Sequence, residues 1–209
     1  WSLIGDTNAP GGDDESSFAG RAQLGGDSGR IIDGLALRDS FIMYSEKAIN
    51  VFDFSGDNYV WSRRTLTTIA GLANKNCIQE VKGIHYFLGD GDVYACDGNS
   101  VQSIADERIL FHMMSRISRD YLDTSFTLRL ELLKEIWFCV PTVENGDPEN
   151  SVPNRAYIYN WHDKTWQIRD LPAHIMHGAR GRFHRSTDGS FTEEGYNRVA
   201  LSQTPVSVH

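Results

Sequence analysis

Three similar phrases recur along this chain, and their recurrence limits what it can fold into. They are Asn50-Val51-Phe52-Asp53 ahead of Gly56 and Trp61, Asp92-Val93-Tyr94-Ala95 ahead of Gly98, and Ala156-Tyr157-Ile158-Tyr159-Asn160 ahead of Trp166. Each is a short run of β-branched and aromatic residues closed by a turn-forming Gly, Asp or Asn, which is the composition of a strand and its turn. Val51 and Tyr94 lie 43 residues apart, a spacing that suits one propeller blade of about 40–50 residues. Tyr94 and Tyr157 lie 63 apart, because a helical stretch and an acidic loop at 143–151 intervene.

The segments around these phrases predict hairpins. Ser40–Tyr44 is a short apolar run. Ile49–Phe54 carries apolar residues on both faces, as a strand packed between neighbouring sheets does. Ser55-Gly56-Asp57 turns the chain into Tyr59–Leu66. Further on, Gly83 opens Ile84–Leu88, Asp90-Gly91 turns into Asp92–Cys96, and Asp97-Gly98 turns into Ser100–Ile104. Asp-Gly between apolar runs is a strong hairpin signal, since glycine tolerates the positive φ of a tight turn. Thr127–Leu132 turns at Leu133-Lys134 into Glu135–Val140, and Arg155–Tyr159 pairs with Thr165–Asp170 before Pro172.

One helix interrupts the strands, over about 106–118. Asp106 can cap it, and Ile109, Leu110, Met113, Met114 and Ile117 share a stripe at helical spacing. The expected fold class is therefore all-β, with antiparallel, propeller-like blades over 35–172 and one inserted helix. Residues 1–34 read as a loop-rich segment and 173–209 as an irregular tail that continues toward another blade. Small two-faced sheets cannot bury both faces alone, which is why blades stack around an axis. A chain that starts at Trp1 and counts only three or four blades reads as a piece of a longer protein.

Net charge is −8, from 28 acidic and 20 basic residues. Clamping nucleic acid requires a concentrated basic footprint, and the one basic cluster is Arg180, Arg182, His184 and Arg185, which reads as a solvated loop. No run approaches the roughly 18 apolar residues of a membrane span. Cys77, Cys96 and Cys139 are odd in number and sit in apolar runs, which predicts buried free thiols. No Asn-x-Ser/Thr sequon occurs.

No motif assembles a catalytic, cofactor or metal site, so none is expected. Gly26-Asp27-Ser28-Gly29 matches the nucleophile loop of chymotrypsin-like proteases, but in that arrangement the His and Asp partners precede the serine. The first histidine here is His85. His174, His177 and His184 lack a carboxylate-assisted zinc pattern. Asp90/Asp92 and Asp13/Asp14/Glu15 lack the ligand alternation of a calcium loop. Ser186-Thr187-Asp188-Gly189-Ser190-Phe191 departs from a sialidase turn by placing Ser190 where glycine belongs. A paired-carboxylate glycosidase site could exist only in space. The tryptophans of the repeated hairpins, Trp61, Trp137 and Trp166, are expected to be structural and buried.

Three stretches carry a family resemblance. They are Gly29–Leu35 before Phe41–Ile49, Gly83–Gly89 before Asp92-Val93-Tyr94 and Asp97-Gly98, and Glu135–Phe138 before Asn154–Trp161. Together, over roughly 29–172, they resemble the propeller portion of tail proteins from tailed bacteriophages, in particular the nozzle (tail tubular protein B) of short-tailed phages. The resemblance implies a non-enzymatic virion component assembled in the host cytoplasm. It implies a homo-oligomeric ring, commonly sixfold, around the channel through which the genome leaves. Its partners would be other tail proteins, with at most weak contact to DNA and no cofactor. The rival readings are a carbohydrate- or receptor-binding propeller, with Trp61, Trp161 or Trp166 stacking on sugars, and a glycosidase-type enzyme.

Overall fold

A computed structural model describes residues 2–3, 6–10, 28–55, 61–143, 151–172, 175–185 and 191–203, the last two stretches and the first two as backbone apart from Ile175 and Gly178. The fold is predominantly antiparallel β, and its body is three four-stranded sheets. A short hairpin, β1 (Ser2–Leu3) and β2 (Asp6–Pro10), comes first. The first sheet is a meander of β3 (Ile31–Leu37), β4 (Ser40–Ser45), β5 (Ile49–Phe54) and β6 (Trp61–Thr67). The second is β7 (Ile78–Val81), β8 (Ile84–Leu88), β9 (Val93–Cys96) and β10 (Val101–Ser103). After α1 (Glu107–Met114) and a 3-10 segment (Arg119–Thr124), the third sheet runs β11 (Phe126–Leu130), β12 (Glu135–Val140), β13 (Arg155–Asn160) and β14 (Thr165–Asp170).

The three recurring phrases occupy equivalent places: they are β5, β9 and β13, the third strand of each meander. Left-handed turns join the strands as the sequence chemistry demands. Gly91 and Gly98 have φ of +124° and +89° at the two Asp-Gly turns. At the first of these the Asp92 carboxylate accepts the Val93 N–H at 2.6 Å, and at the second the Asp97 carboxylate accepts the N–H groups of Asn99 and Ser100.

Several elements differ from the sequence reading. β3 begins at Ile31, inside the stretch expected to be loop, and its hairpin to β4 turns at Arg38 with φ +55°. β7 was not expected. It returns through Lys82 and Gly83, both at positive φ, the geometry of a tight two-residue hairpin. α1 stops at Met114, four residues short of the expected end, because Ser115 caps it and Ile117 leaves to bridge Thr142. Its start is as expected: Asp106 accepts the N–H groups of Arg108 and Ile109 at 2.9 Å each. The expected irregular tail is a long hairpin, β15 (Ile175–Arg185) and β16 (Phe191–Gln203), so Arg180, Arg182, His184 and Arg185 lie on a strand and not in a loop. Pairing with a partner strand overrides the weak strand propensity of its glycines and charges. The Ser55-Gly56-Asp57 turn extends into 56–60, outside the described residues.

The sheets pack face to face. Leu37, Ile42, Tyr44, Ile49 and Val51 of the first meet Cys77, Phe87 and Cys96 of the second, and one continuous core reaches Ile136, Phe138, Tyr157 and Tyr159 of the third. Met113 of α1 is buried in the same core. Aromatic pairs stitch the two interfaces: Tyr44 with Phe87 at 5.0 Å, and Tyr86 with Tyr159 at 5.9 Å between ring centres. The far face of the third sheet (Phe126, Leu128, Trp137, Cys139, Ala156 and Ile158) forms a second core with Leu171 and Ile175. Edge strands also join, since Gln79 of β7 donates to the Thr127 carbonyl at 3.1 Å, and Arg129 of β11 bonds the Glu80 carbonyl.

Candidate functional site

The outer face of the first sheet is the candidate site, because it carries core-type residues that none of the described residues covers as a core would. Strand alternation sends Leu35, Ile42 and Val51 toward the second sheet and sends Phe41, Met43 and Phe52 the other way. The register places Phe41 opposite Phe52, Met43 opposite Asn50, and Phe54 opposite Trp61 on that outer side. Phe41 and Phe54 remain 41% and 64% exposed, and Met43, Phe52 and Trp61 are half-buried. Phe41, Met43, Phe52 and Trp61 line a hollow of about 260 Å³.

Local sequence shapes this hollow. Gly34 lies across from Met43 on β3, and the Phe41 ring folds over the space where a Cβ would stand: an added Cβ would sit 2.3 Å from Cζ of that ring. Trp61 meets Phe54 edge-on, with ring centres 5.9 Å apart and planes at 79°. Asn50 and Thr65 form a polar island beside the rings, the threonine hydroxyl donating to the asparagine side-chain oxygen at 3.0 Å. The opposite face of the same strands holds charge: Asp53 accepts from Ser40 and pairs with Arg64 at 3.1 Å, and Arg64 also reaches the Gly98 carbonyl at 2.5 Å. The Ser40 hydroxyl, aided by Arg64, holds the Asp53 carboxyl below its usual range.

The residues singled out in the sequence are scattered. Asp90 forms an exposed ion pair with Arg119 at 2.9 Å, and Asp92 caps a turn. Ser28 is buried and its carbonyl accepts the Lys47 N–H at 3.2 Å, while Gly26 and Asp27 lie outside the described residues. Asp13, Asp14, Glu15, His174 and 186–190 also lie outside them, as do the side chains of His177, Arg180, Arg182, His184 and Arg185. Among the described residues no three His, Cys, Asp or Glu side chains gather as metal ligands would, and no helix is long and apolar enough to cross a membrane.

Cys77, Cys96 and Cys139 are free and buried. Burial pushes the Cys77 thiol up to about 12 and raises Cys139 further, which makes both poor nucleophiles at neutral pH. The tryptophans divide. Trp137 is buried, under the Arg169 guanidinium at 5.2 Å, whereas Trp161 and Trp166 are half-buried against the main core. Trp166 donates its indole N–H to the Ile104 carbonyl at 3.1 Å. Of the three tryptophans weighed for sugar stacking, Trp61 alone belongs to the aromatic hollow. Sequence reasoning did not single out Phe41, Met43 and Phe52 as a site; the two-faced apolar pattern of β5 was their signal.

No protein-family model and no curated protein matches this chain.

Proposed function

We propose that this protein is a structural component of a bacteriophage tail, of the nozzle type, whose stacked sheets form part of a ring around the DNA exit channel and dock onto neighbouring tail proteins. The observation that carries the reading is the repeated meander with one face that no described residue covers. The second sheet is sandwiched between its neighbours, whereas the first leaves Phe41, Phe52, Phe54 and Trp61 accessible. Such a face suits a further sheet, from the same polypeptide or from a neighbouring subunit. The net charge of −8 suits a wall past which phosphate slides more than a surface that grips it.

The carbohydrate-binding reading draws on the same hollow, since Trp61 and two phenylalanines could stack on a sugar ring. Sugar sites also need polar groups placed to hydrogen-bond the hydroxyls, and the four side chains that line this hollow offer only the indole N–H. Protein docking therefore accounts for the face better.

Sedimentation and negative-stain imaging of the protein, alone and with neighbouring tail proteins, test the proposal. Ring-shaped oligomers or a stable complex are expected, and Phe41→Ser with Phe54→Ser should weaken the association at least tenfold without altering circular dichroism. A monomer that ignores tail proteins and binds glycans through Trp61 would overturn it.

A further inference from the structure

The contact between the first and second sheets contains a buried titratable group. His85, on β8, is fully buried. Its Nε2 lies 3.0 Å from the Ala36 carbonyl on β3, and its Nδ1 lies 2.9 Å from the Tyr44 hydroxyl on β4. A carbonyl can only accept, so Nε2 carries the proton and Nδ1 accepts from Tyr44. Both bonds cross from one sheet to the other; the Tyr44 bond needs a neutral imidazole to accept it, whereas the Nε2–H bond to Ala36 survives protonation.

We propose that the buried Tyr44–His85 pair is a proton-sensitive latch between the first and second sheets, closed at neutral pH and released in mild acid. A proton added to Nδ1 removes the acceptor that Tyr44 uses. The tyrosine hydroxyl would then have to accept and turn its own proton toward the Cys96 thiol beside it, a weak acceptor.

The surroundings supply little relief for the resulting cation. Glu80, opposite His85 on β7, is the carboxylate whose charge acts on it, but its oxygens are engaged by the Gly83 N–H at 2.7 Å and by Arg129 at 3.4 Å. Asp33, opposite Tyr44 on β3, accepts from the Gly34 N–H, and Asp53 on β5 is paired with Arg64. Arg38 bonds the Gly83 carbonyl at 3.1 Å, Arg64 reaches the Gly98 turn, and Asp97 is committed to that turn's N–H groups. Burial is accordingly the largest influence on His85 and lowers its proton affinity, against the Ala36 bond and Glu80, which raise it.

The sign follows from linkage. A histidine held below its unfolded value stabilises the closed contact above about pH 6.5, and that contribution is lost as pH falls from there toward the lowered folded value. At pH 5 the opening of the latch should rise by up to about thirtyfold relative to pH 7.5 for one such proton.

Two measurements on the intact chain decide the matter. In an NMR titration His85 should take its proton below the pH of about 6.5 at which an ordinary imidazole does. In hydrogen exchange corrected for intrinsic rates, amides of β3–β6 should open tenfold or more faster at pH 5 than at pH 7.5, while those of β11–β14 change little. His85→Gln, whose amide can keep both bonds without titrating, should abolish that difference; the wild-type measurements stand if it does not fold. A His85 that titrates at or above about pH 6.5, or acid opening spread equally over the first and third sheets, would overturn the latch.

Discussion

The first and second sheets are built from the same kind of strand and differ in their cover. In the second, Phe87 faces Tyr44 of the first sheet and Tyr86 faces Tyr159 of the third, so aromatics on both sides of one strand lie in core. In the first, Tyr44 is buried, whereas Phe41, its neighbour but two on the same strand and on the opposite side, is 41% exposed. Identical chemistry thus supplies a core on one side and an exposed apolar surface on the other. What separates them, among the described residues, is the presence of a next sheet. A repeat built this way ends in a face that wants a partner.

The largest test of this comparison contrasts covered and uncovered phenylalanines. Phe87→Ala should cost about 3–5 kcal/mol in urea unfolding, the usual range for a buried aromatic, and Trp137→Ala should match it. Phe54→Ala, 64% exposed, should stay within about 0.5 kcal/mol. Equal losses would mean that the outer face of the first sheet is covered after all.

A middle-sized effect is expected where the two sheets are joined. Gly71 lies in the connection between them, and a Cβ added there would stand 2.1 Å from the Glu46 carbonyl oxygen and 2.5 Å from that of Ser45. Backbone is on the receiving side, and the adjacent Leu72 N–H donates to the same Ser45 carbonyl at 3.0 Å. Gly71→Ala should therefore destabilise by roughly 1–3 kcal/mol. A neutral result would show that the connection shifts freely and that the two sheets are less tightly registered than their shared core implies.

The smallest effect concerns charge on the covered side. A carboxyl held below its usual value stabilises the fold above the unfolded value near 3.9 and loses that contribution as pH falls through the folded value. Asp53 should behave so through Ser40 and Arg64 in the first sheet, and Asp97 through the Asn99 and Ser100 N–H groups in the second. Acid titrations of Asp53→Asn and Asp97→Asn should each show a shallower loss of stability below about pH 4 than the parent. If only one does, the acid sensitivity belongs to one sheet.

Much of this fold is legible in the sequence where strand and turn signals agree. The Asp90-Gly91 and Asp97-Gly98 turns and the phrase-bearing strands β5, β9 and β13 fall where their residues point. β7 escaped because Lys82 does not advertise a left-handed turn, although Gly83 beside it does. β3 escaped because Asp33 and Gly34 interrupt its apolar run; Gly34 is there to accommodate the Phe41 ring, a reason that exists only once the strands are paired. β15 and β16 carry glycines and charges that a lone strand would not choose. The outer aromatic face was illegible for a different reason. Alternation tells which residues share a face, but it does not tell whether another sheet lies against it, so Phe41–Phe52 and Phe138–Tyr157 look alike in the sequence.

The meander order of the sheets bears on how the chain reaches its fold. In every one of the three sheets each strand pairs with the strand next to it in sequence, with no crossover. Apart from residues 141–154 between β12 and β13, the loops closed by such neighbours are short, so little chain entropy is lost before the pairing is rewarded, and local pairing of this kind favours rapid folding. Each meander can form as its own segment leaves the ribosome, before the following one exists. The first sheet would then wait with both apolar faces open until the second arrives, and that interval is when the nascent chain is most prone to stick to its copies.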